Sequence, residues 1–241
     1  MALRNQMCLS NENRTFKALL LICLGLALAF GCAQGRKAQA PDPFPENPGK
    51  VVVMGFRSAL EKGTSPEVIR SPISGNAFTA QPVPEDKIHL MTERLFRRLS
   101  DSGRYDLVSP DQARGVYASL VSSSSMLSEI DIIQRMGSAF AADSVLAGYL
   151  YRWREREGQD YAVRNAASVA FDLYLIRPDN GAVLWKGHFD VTQKSLSENL
   201  LEVDTFLHGG GKWMTADQLA DMGLDRLLGD LPASSNRGGE D

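Results

Sequence analysis

The sequence predicts a mixed α/β domain, with a sheet of about five strands, helices packed on it, and the element order β-α-β-α-α-β-β-β-α-α. Three observations support this fold class. A valine-rich run at residues 50–56 is typical of a strand covered on both faces. Several stretches repeat apolar residues at helical spacing behind capping signals, and three later stretches have the period of two that marks strands. Strands and helices interleaved in this way pack as layers.

The first half of the domain supplies the predicted β-α-β unit. After the first strand, residues 57–83 contain three prolines and two glycines and predict a long, ordered or semi-ordered loop. Loops of that length are uncommon in compact domains unless they serve a function. Residues 85–100 repeat apolar side chains at spacings of three and four and predict an amphipathic helix, which residues 101–103 (DSG) end. Residues 105–108 (YDLV) predict a short strand.

Capping signals place the remaining helices. Ser109 is followed by a proline and then by Gln112, a pattern that starts a helix. Ser128 precedes a second helix with an apolar face. Two further capping boxes, which begin at Ser195 and Thr215, predict the last two helices of the domain.

Three stretches with a period of two predict consecutive antiparallel strands. Residues 145–153 begin apolar on both faces and then alternate, so we expect one covered face and one face in water. Residues 168–176 alternate again, and the turn sequence PDNG at 178–181 predicts a hairpin to a return strand over 183–191.

The N-terminal segment reads as an export signal. Its basic start is followed by an apolar run of thirteen residues at 18–30, whereas a helix needs about twenty residues to cross a bilayer. Ala29-Phe30-Gly31-Cys32 ends this run and resembles the lipobox of bacterial lipoproteins. The resemblance implies cleavage after Gly31 and acylation of Cys32. The alternative is ordinary cleavage near residues 38–40 (AQA).

Cysteine usage favours the lipidated form. Cys8 and Cys23 lie in the segment that would be removed, so Cys32 is the single cysteine of the mature chain. A free thiol would be prone to oxidation after export, whereas an acylated cysteine is capped. Two or three acyl chains hold a protein stably in a bilayer. In bacterial lipoproteins an aspartate after the cysteine favours the inner membrane, so Ala33 implies the periplasmic face of the outer membrane.

These features divide the chain into four parts. We expect a signal peptide at 1–31, a lipidated disordered tether at 32–48, one globular domain at 49–232 and a disordered tail at 233–241. The mature chain has 23 basic and 28 acidic side chains, a net charge of −5. Nucleic-acid binding requires a basic surface, so a nucleic-acid partner is not expected.

Four segments resemble a known family in wording and in order: residues 50–56 (KVVVMGF), 103–116 (GRYDLVSPDQARGV), 141–153 (AADSVLAGYLYRW) and 179–187 (DNGAVLWKG). They are similar to a periplasmic α/β module found in the curli-secretion lipoprotein (CsgG-like), in lipoprotein activators of penicillin-binding proteins and in the amino-terminal domain of the Tol-Pal translocation protein. The resemblance implies a module that binds proteins, assembles or forms secretion pores. It supplies no catalytic residues.

Motifs for catalysis, cofactors and metals are incomplete. The glycines after His208 match one loop of certain hydrolases, but no G-x-S-x-G accompanies them, and no P-loop is formed. His188 and Asp190 share one face of a strand and are too few for a metal site. Arg152 and Arg154 are expected on a solvated strand face. No catalytic residue, cofactor or metal ligand is therefore assigned.

The function expected from the sequence is a non-enzymatic, outer-membrane-anchored lipoprotein that binds envelope proteins or copies of itself. The segment with Phe206, Leu207, Trp213 and Met214 around a glycine hinge is a candidate partner surface, because aromatic residues and methionine are enriched at interfaces. The alternative for these residues is a helix end that folds back onto the core. Two other functions stay open, a secretion-channel subunit of the curli-export type and an enzyme acting on envelope polymers.

Overall fold

The computed structural model describes residues 49–123, 126–159, 162–193 and 213–232, which contain nine strands and four helices. The strands are β1 (Lys50–Ser58), β2 (Glu67–Arg70), β3 (Ala77–Ala80), β4 (Asp106–Val108), β5 (Ser144–Arg154), β6 (Glu157–Gln159), β7 (Ala162–Asn165), β8 (Ser168–Ile176) and β9 (Val183–Thr192). The helices are α1 (Glu85–Ser102), α2 (Pro110–Ser123), α3 (Glu129–Ala139) and α4 (Ala216–Gly229). None of the helices in the described ranges is both long and apolar enough to cross a bilayer.

Five of the strands form one mixed sheet in the order β4-β1-β5-β8-β9. The strand β1 is parallel to both of its neighbours, and Val52 pairs with Val108 on one side and Val145 on the other. The strands β5, β8 and β9 are antiparallel, with Leu173 between Gly148 and Gly187. The structure confirms the predicted fold class, a mixed five-stranded sheet with helices packed on it.

Helices cover both faces of the sheet. On the first face, α1 and α4 bury Met91, Leu95 and Leu224 against the sheet. On the second face, α2 and α3 contribute a smaller apolar layer that includes Ile133 and Met136, both with no exposed surface. Apolar burial of this kind stabilises a fold at about 25 cal/mol per Å² removed from water.

The predicted caps of the described helices are confirmed. The side chain of Ser128 accepts a hydrogen bond from Asp131 N while the Asp131 side chain accepts from Ser128 N, and Thr215 forms the same reciprocal pair at the start of α4. Gln112 Oε1 accepts from Ser109 N at 3.0 Å. Gly103 ends α1 in the left-handed conformation with φ of 62°. The box at Ser195 lies outside the described residues.

A ladder of ion pairs joins α1 to α4 along the first face. Arg94 pairs with Asp217 at 2.8 Å and Asp221 at 3.2 Å, and Arg98 pairs with Asp221 at 2.8 Å and Asp225 at 2.7 Å. The three carboxylates are four residues apart and therefore lie on one face of α4. The ladder runs along the exposed side of the contact between the two helices.

The prediction of a loop throughout residues 57–83 is wrong. The segment contains the antiparallel hairpin of β2 and β3, which packs on the second face of the sheet. Phe78 stacks on Tyr151 with ring centroids 3.8 Å apart, and Gln81 N donates to the Tyr151 carbonyl at 2.8 Å. A strand of four residues bounded by prolines is too short to show a clear period in the sequence.

The expected solvated face of the β5 region is also absent. Every residue of β5 except Arg154 is buried, because the hairpin covers the side that was expected to meet water. Arg152 is only 7 % exposed. Its guanidinium donates to Ser168 Oγ at 2.7 Å and to the Thr79 carbonyl at 2.9 Å, and it forms an ion pair with Asp190. Arg152 therefore ties the hairpin to the sheet.

Candidate binding cleft

The order of the strands determines where a cleft opens. The helix α1 connects β1 to β4 on one side of β1, and the pair α2 and α3 then connects β4 to β5 on its other side. These connections pack on opposite faces of the sheet. Where neighbouring parallel strands send their connections in opposite directions, a crevice forms at their carboxyl ends and is the usual ligand site of open α/β sheets.

A cleft of about 380 Å³ lies at this position, between the first turns of α1 and α2. A volume of this size is at the lower end of the range for small-ligand pockets. The strand β1 contributes the residues of its carboxyl end, and three helices contribute the walls. The lining residues include Met54, Phe56, Arg57, Ser58, Glu85, Ile88, His89, Thr92, Ala113, Arg114, Tyr117 and Met136.

The floor of the cleft is apolar and rigidly packed. Phe56 is 4 % exposed and meets Phe171 edge-on, with centroids 5.5 Å apart. Gly148 on β5 lies beneath the Phe56 ring, and a Cβ at this glycine would come within 2.7 Å of it. Met136 and Ala113 are also buried at the cleft. The inner wall of the cleft is therefore apolar.

Arg57 provides the cationic wall. Its guanidinium forms an ion pair with Glu129, donates to Tyr149 Oη at 2.8 Å and lies over the rings of Tyr117 and Tyr149 at 5.0 and 5.1 Å from their centroids. Burial raises the pKa of Tyr149 far above its ordinary value, so this hydroxyl stays neutral. Arg57 Nε is buried and has no hydrogen-bond partner within the described ranges.

The remaining polar groups of the cleft already have structural partners. Thr92 Oγ1 accepts from Phe56 N at 2.8 Å, and Ser58 Oγ donates to the Leu60 carbonyl at 2.6 Å. His89 lies 3.7 Å from Glu85, one turn before it on α1, and its side chain is 53 % exposed. Neither hydroxyl is hydrogen-bonded to the histidine. The cleft therefore combines an apolar floor and a polar rim without an activated nucleophile among these groups.

Arg114 adds a second cation on the α2 side of the rim. Its side chain is 62 % exposed and pairs with Asp111 one turn earlier at 3.0 Å. A second groove of about 660 Å³ shares Ser58, Glu85 and Ile88 with the cleft and continues along the chain segments that flank the hairpin. The two depressions form one continuous surface at the carboxyl end of β1.

The residues proposed as a partner surface from the sequence are only partly described. Phe206 and Leu207, like Gly31 and Cys32, lie outside the described residues. Met214 is 6 % exposed, lies in the core of the first face and donates from its backbone to Gln193 Oε1 at 2.6 Å. Trp213 is half-buried. The packing of Met214 favours the alternative of a helix end folded onto the core.

The two histidines that the structure describes serve different surroundings. His89 lines the cleft, whereas His188 lies on β9 with Nδ1 2.8 Å from Asp172 Oδ1. Asp190 faces Arg152 instead, so His188 and Asp190 do not converge on one point. Among the described residues no group of three histidine, cysteine, aspartate or glutamate side chains could hold a metal ion.

A polar network beneath the hairpin was not predicted from the sequence. Asp172 is 1 % exposed, and its carboxylate lies 2.5 Å from Tyr174 Oη and 3.3 Å from Tyr151 Oη. Burial, together with the hydrogen bond to Asp172, raises the pKa of Tyr174 to about 12. Ser71 Oγ lies 2.9 Å from Tyr174 Oη and links the hairpin to the network. These groups are enclosed, so the network serves the fold.

Comparison with known proteins gives distant structural similarity only. No protein-family model matches the chain, and no curated protein matches it. Among solved structures, it is similar to the C-terminal domain of LpoB from Salmonella enterica, with 16% identity, 61% of this chain and 84% of that chain covered, and a TM-score of 0.35. It is also similar to the PelC dodecamer from Paraburkholderia phytofirmans, with 16% identity, 81% of this chain and 95% of that chain covered, and a TM-score of 0.40. A third similar structure is lipoprotein GNA1162 from Neisseria meningitidis, with 16% identity, 68% of this chain and 95% of that chain covered, and a TM-score of 0.38.

Proposed function

We propose that the chain is a lipid-anchored protein of the bacterial cell envelope that binds other envelope proteins and catalyses no reaction. The lipobox-like sequence from Ala29 to Cys32 supports the anchor, with acylation at Cys32. The outer membrane is the proposed location, with the domain on its periplasmic side, because Ala33 rather than aspartate follows the cysteine.

The cleft at the carboxyl end of β1 carries the proposed binding activity. Its floor is apolar, and Arg57 and Arg114 stand on its walls. The partner that fits this surface is a polypeptide segment with an apolar side chain for the floor and a neighbouring carboxylate for the arginines. Arg114 is the accessible cation, because its side chain is 62 % exposed, whereas the Arg57 side chain is 19 % exposed. Arginine recognises carboxylates with two parallel hydrogen bonds.

The hydrogen bonds at the cleft support a binding role over catalysis. A hydroxyl nucleophile requires an adjacent base to take its proton. The Ser58 and Thr92 hydroxyls instead bond to backbone groups of the cleft wall. They maintain the shape of the site.

Site-specific photo-crosslinking in intact cells tests the proposal. A photo-reactive phenylalanine analogue replaces His89 on the cleft rim, and the control replaces Glu93, an exposed residue one turn further along α1 that does not line the cleft. We expect a discrete protein adduct from position 89 and none from position 93. In the same cells, Arg114→Glu should reduce the adduct at least tenfold and Arg114→Lys should retain most of it.

Equal adducts from positions 89 and 93, or adducts that do not respond to the charge at position 114, would contradict the proposed site. Turnover of an added envelope polymer by the purified protein would contradict the non-enzymatic role.

A further inference from the structure

The strand β9 is one edge of the main sheet. It is bonded to β8 on one side, and within the described ranges no strand pairs with its other side. An unpaired edge offers a row of backbone donors and acceptors to another chain, and many proteins protect such edges with very short strands, prolines or inward-pointing charges. The opposite edge, β4, has three residues, whereas β9 has ten and no proline.

The residues of β9 on either side of His188 complement each other: a basic residue mirrors an acidic one, and a large apolar residue mirrors a smaller one. Lys186 and Asp190 lie two residues before and after it and carry opposite charges. Trp185 and Val191 lie three residues before and after it, and both are half-buried. An antiparallel pair of identical strands centred on one residue places each position opposite its mirror position. Such a pair would therefore set Lys186 against Asp190 and Trp185 against Val191.

We propose that two copies of this chain pair through β9, antiparallel and centred on His188, to form one continuous ten-stranded sheet. The contact is isologous, because each residue of one copy meets the mirror residue of the other across a two-fold axis. Two Lys186 to Asp190 pairs and two Trp185 to Val191 pairs then flank the axis. This pairing goes beyond the proposed partner cleft and does not use it.

The surroundings of the charges fit a contact with a second copy. Lys186 is exposed and makes no ion pair in the part of the chain that the structure describes. The Asp190 side chain is 33 % exposed, with Oδ1 directed at Arg152 of its own chain. The second carboxylate oxygen can therefore accept from a lysine of the other copy. The face of β9 that carries these charges stands clear of α4, which packs on the opposite face.

Cysteine crosslinking of the full-length lipoprotein in membranes tests the register. Directly opposite residues of an antiparallel pair have Cβ atoms about 5 Å apart, close enough for a disulfide. We therefore expect His188→Cys to give disulfide-linked dimers. Lys186→Cys is the matched control, since Lys186 is also exposed, but the two copies of position 186 would be about 13 Å apart. The unsubstituted chain, which retains Cys32, controls for dimers formed through that residue.

Because His188→Cys also removes the contact of His188 with Asp172, a second pair of variants leaves His188 in place. Leu184→Cys and Thr192→Cys are mirror positions, so they should crosslink when the two variants are co-expressed and not when either is expressed alone. Equal crosslinking at positions 186 and 188, or crosslinking of Leu184→Cys with itself, would overturn the register.

Charge reversal tests the contact without new thiols. Lys186→Glu places like charges opposite each other at two symmetric positions and should weaken the dimer about tenfold or more. Lys62→Glu makes the same change at an exposed residue away from β9 and should leave the dimer intact. Mass photometry in detergent measures the fraction of dimer for both variants. An unsubstituted chain that is monomeric at micromolar concentration, or equal effects of the two reversals, would overturn the proposal.

Discussion

Arg152 offers the sharpest test of how the hairpin is held on the sheet. The substitution Arg152→Met keeps most of the apolar stem and removes the guanidinium that donates to Ser168 Oγ and the Thr79 carbonyl. It also leaves Asp190 without its ion-pair partner. Because Arg152 is only 7 % exposed, water cannot easily replace these contacts.

The expected loss is about 3 kcal/mol in the free energy of unfolding. A hydrogen bond to a charged group contributes about 1.5 to 3 kcal/mol, and breaking a fully buried ion pair costs about 3 to 5 kcal/mol. We take the lower part of this range because the Asp190 side chain is 33 % exposed and regains some water. For a domain of this size, 3 kcal/mol lowers the melting temperature by about 6 to 12 °C.

Urea unfolding followed by circular dichroism measures this loss. Arg154→Met is the matched control, since Arg154 is exposed and its contact with the Ala166 carbonyl is long at 3.3 Å. That substitution should change the stability by less than about 0.5 kcal/mol. If the two variants lose equal stability, or Arg152→Met loses less than about 1 kcal/mol, Arg152 does not hold the hairpin as described.

Three further predictions concern the core, a helix cap and the alkaline range. Gly148→Ala should lower the free energy of unfolding in urea by about 1 to 3 kcal/mol, because the added Cβ would press on the Phe56 ring. In Gly115→Ala the added Cβ meets nothing within 4 Å, so this variant should stabilise α2 by up to about 1 kcal/mol. The reverse order of stabilities would contradict the packing. Thr215→Ala should lose about 1 kcal/mol by the same measurement, and no loss would contradict the cap. The pKa of Tyr174 is raised to about 12 in the folded protein, whereas it is about 10 in the unfolded chain. The contribution of Tyr174 to the free energy of unfolding should therefore be complete below pH about 10 and fall as the pH rises towards 12. Urea midpoints across this range should decline less steeply in Tyr174→Phe, and an unchanged slope would contradict the assignment.

The elements predicted correctly from the sequence are those determined by interactions between residues close together in the chain. The cap of α3 depends on Ser128 and Asp131, three residues apart, so its chemistry is visible in the sequence. The end of α1 depends on Gly103, which takes a left-handed conformation at little cost. The alternation in β8 and β9, together with the turn sequence between them, likewise predicted two consecutive antiparallel strands.

The burial of Arg152 could not be predicted in this way, because it depends on a distant segment. Alternation places the side chain on one face of β5 and does not reveal what covers that face. The cover comes from Phe78 and Thr79, more than seventy residues earlier in the chain. The four-residue strands of this hairpin are too short to be recognised from their period.

The position of the cleft could have been predicted from the sequence, but the residues that line it could not. The predicted β-α-β order implies parallel strands, and the carboxyl ends of such strands are the usual ligand site. Arg57 and His89 become neighbours of Arg114 only once α1 and α2 are known to lie on opposite faces. Arg57, His89 and Arg114 belong to no catalytic motif, so the motifs in the sequence did not identify them.

Mass spectrometry of the mature N-terminus tests most directly whether the chain is a lipid-anchored envelope protein. The chain should begin at Cys32, carry acyl groups on that residue and sediment with the outer membrane, and Cys32→Ser should abolish both the modification and the membrane association. A peptide that spans an uncleaved Gly31 to Cys32 bond with an unmodified thiol, from protein recovered in the cytosol, would contradict the proposal.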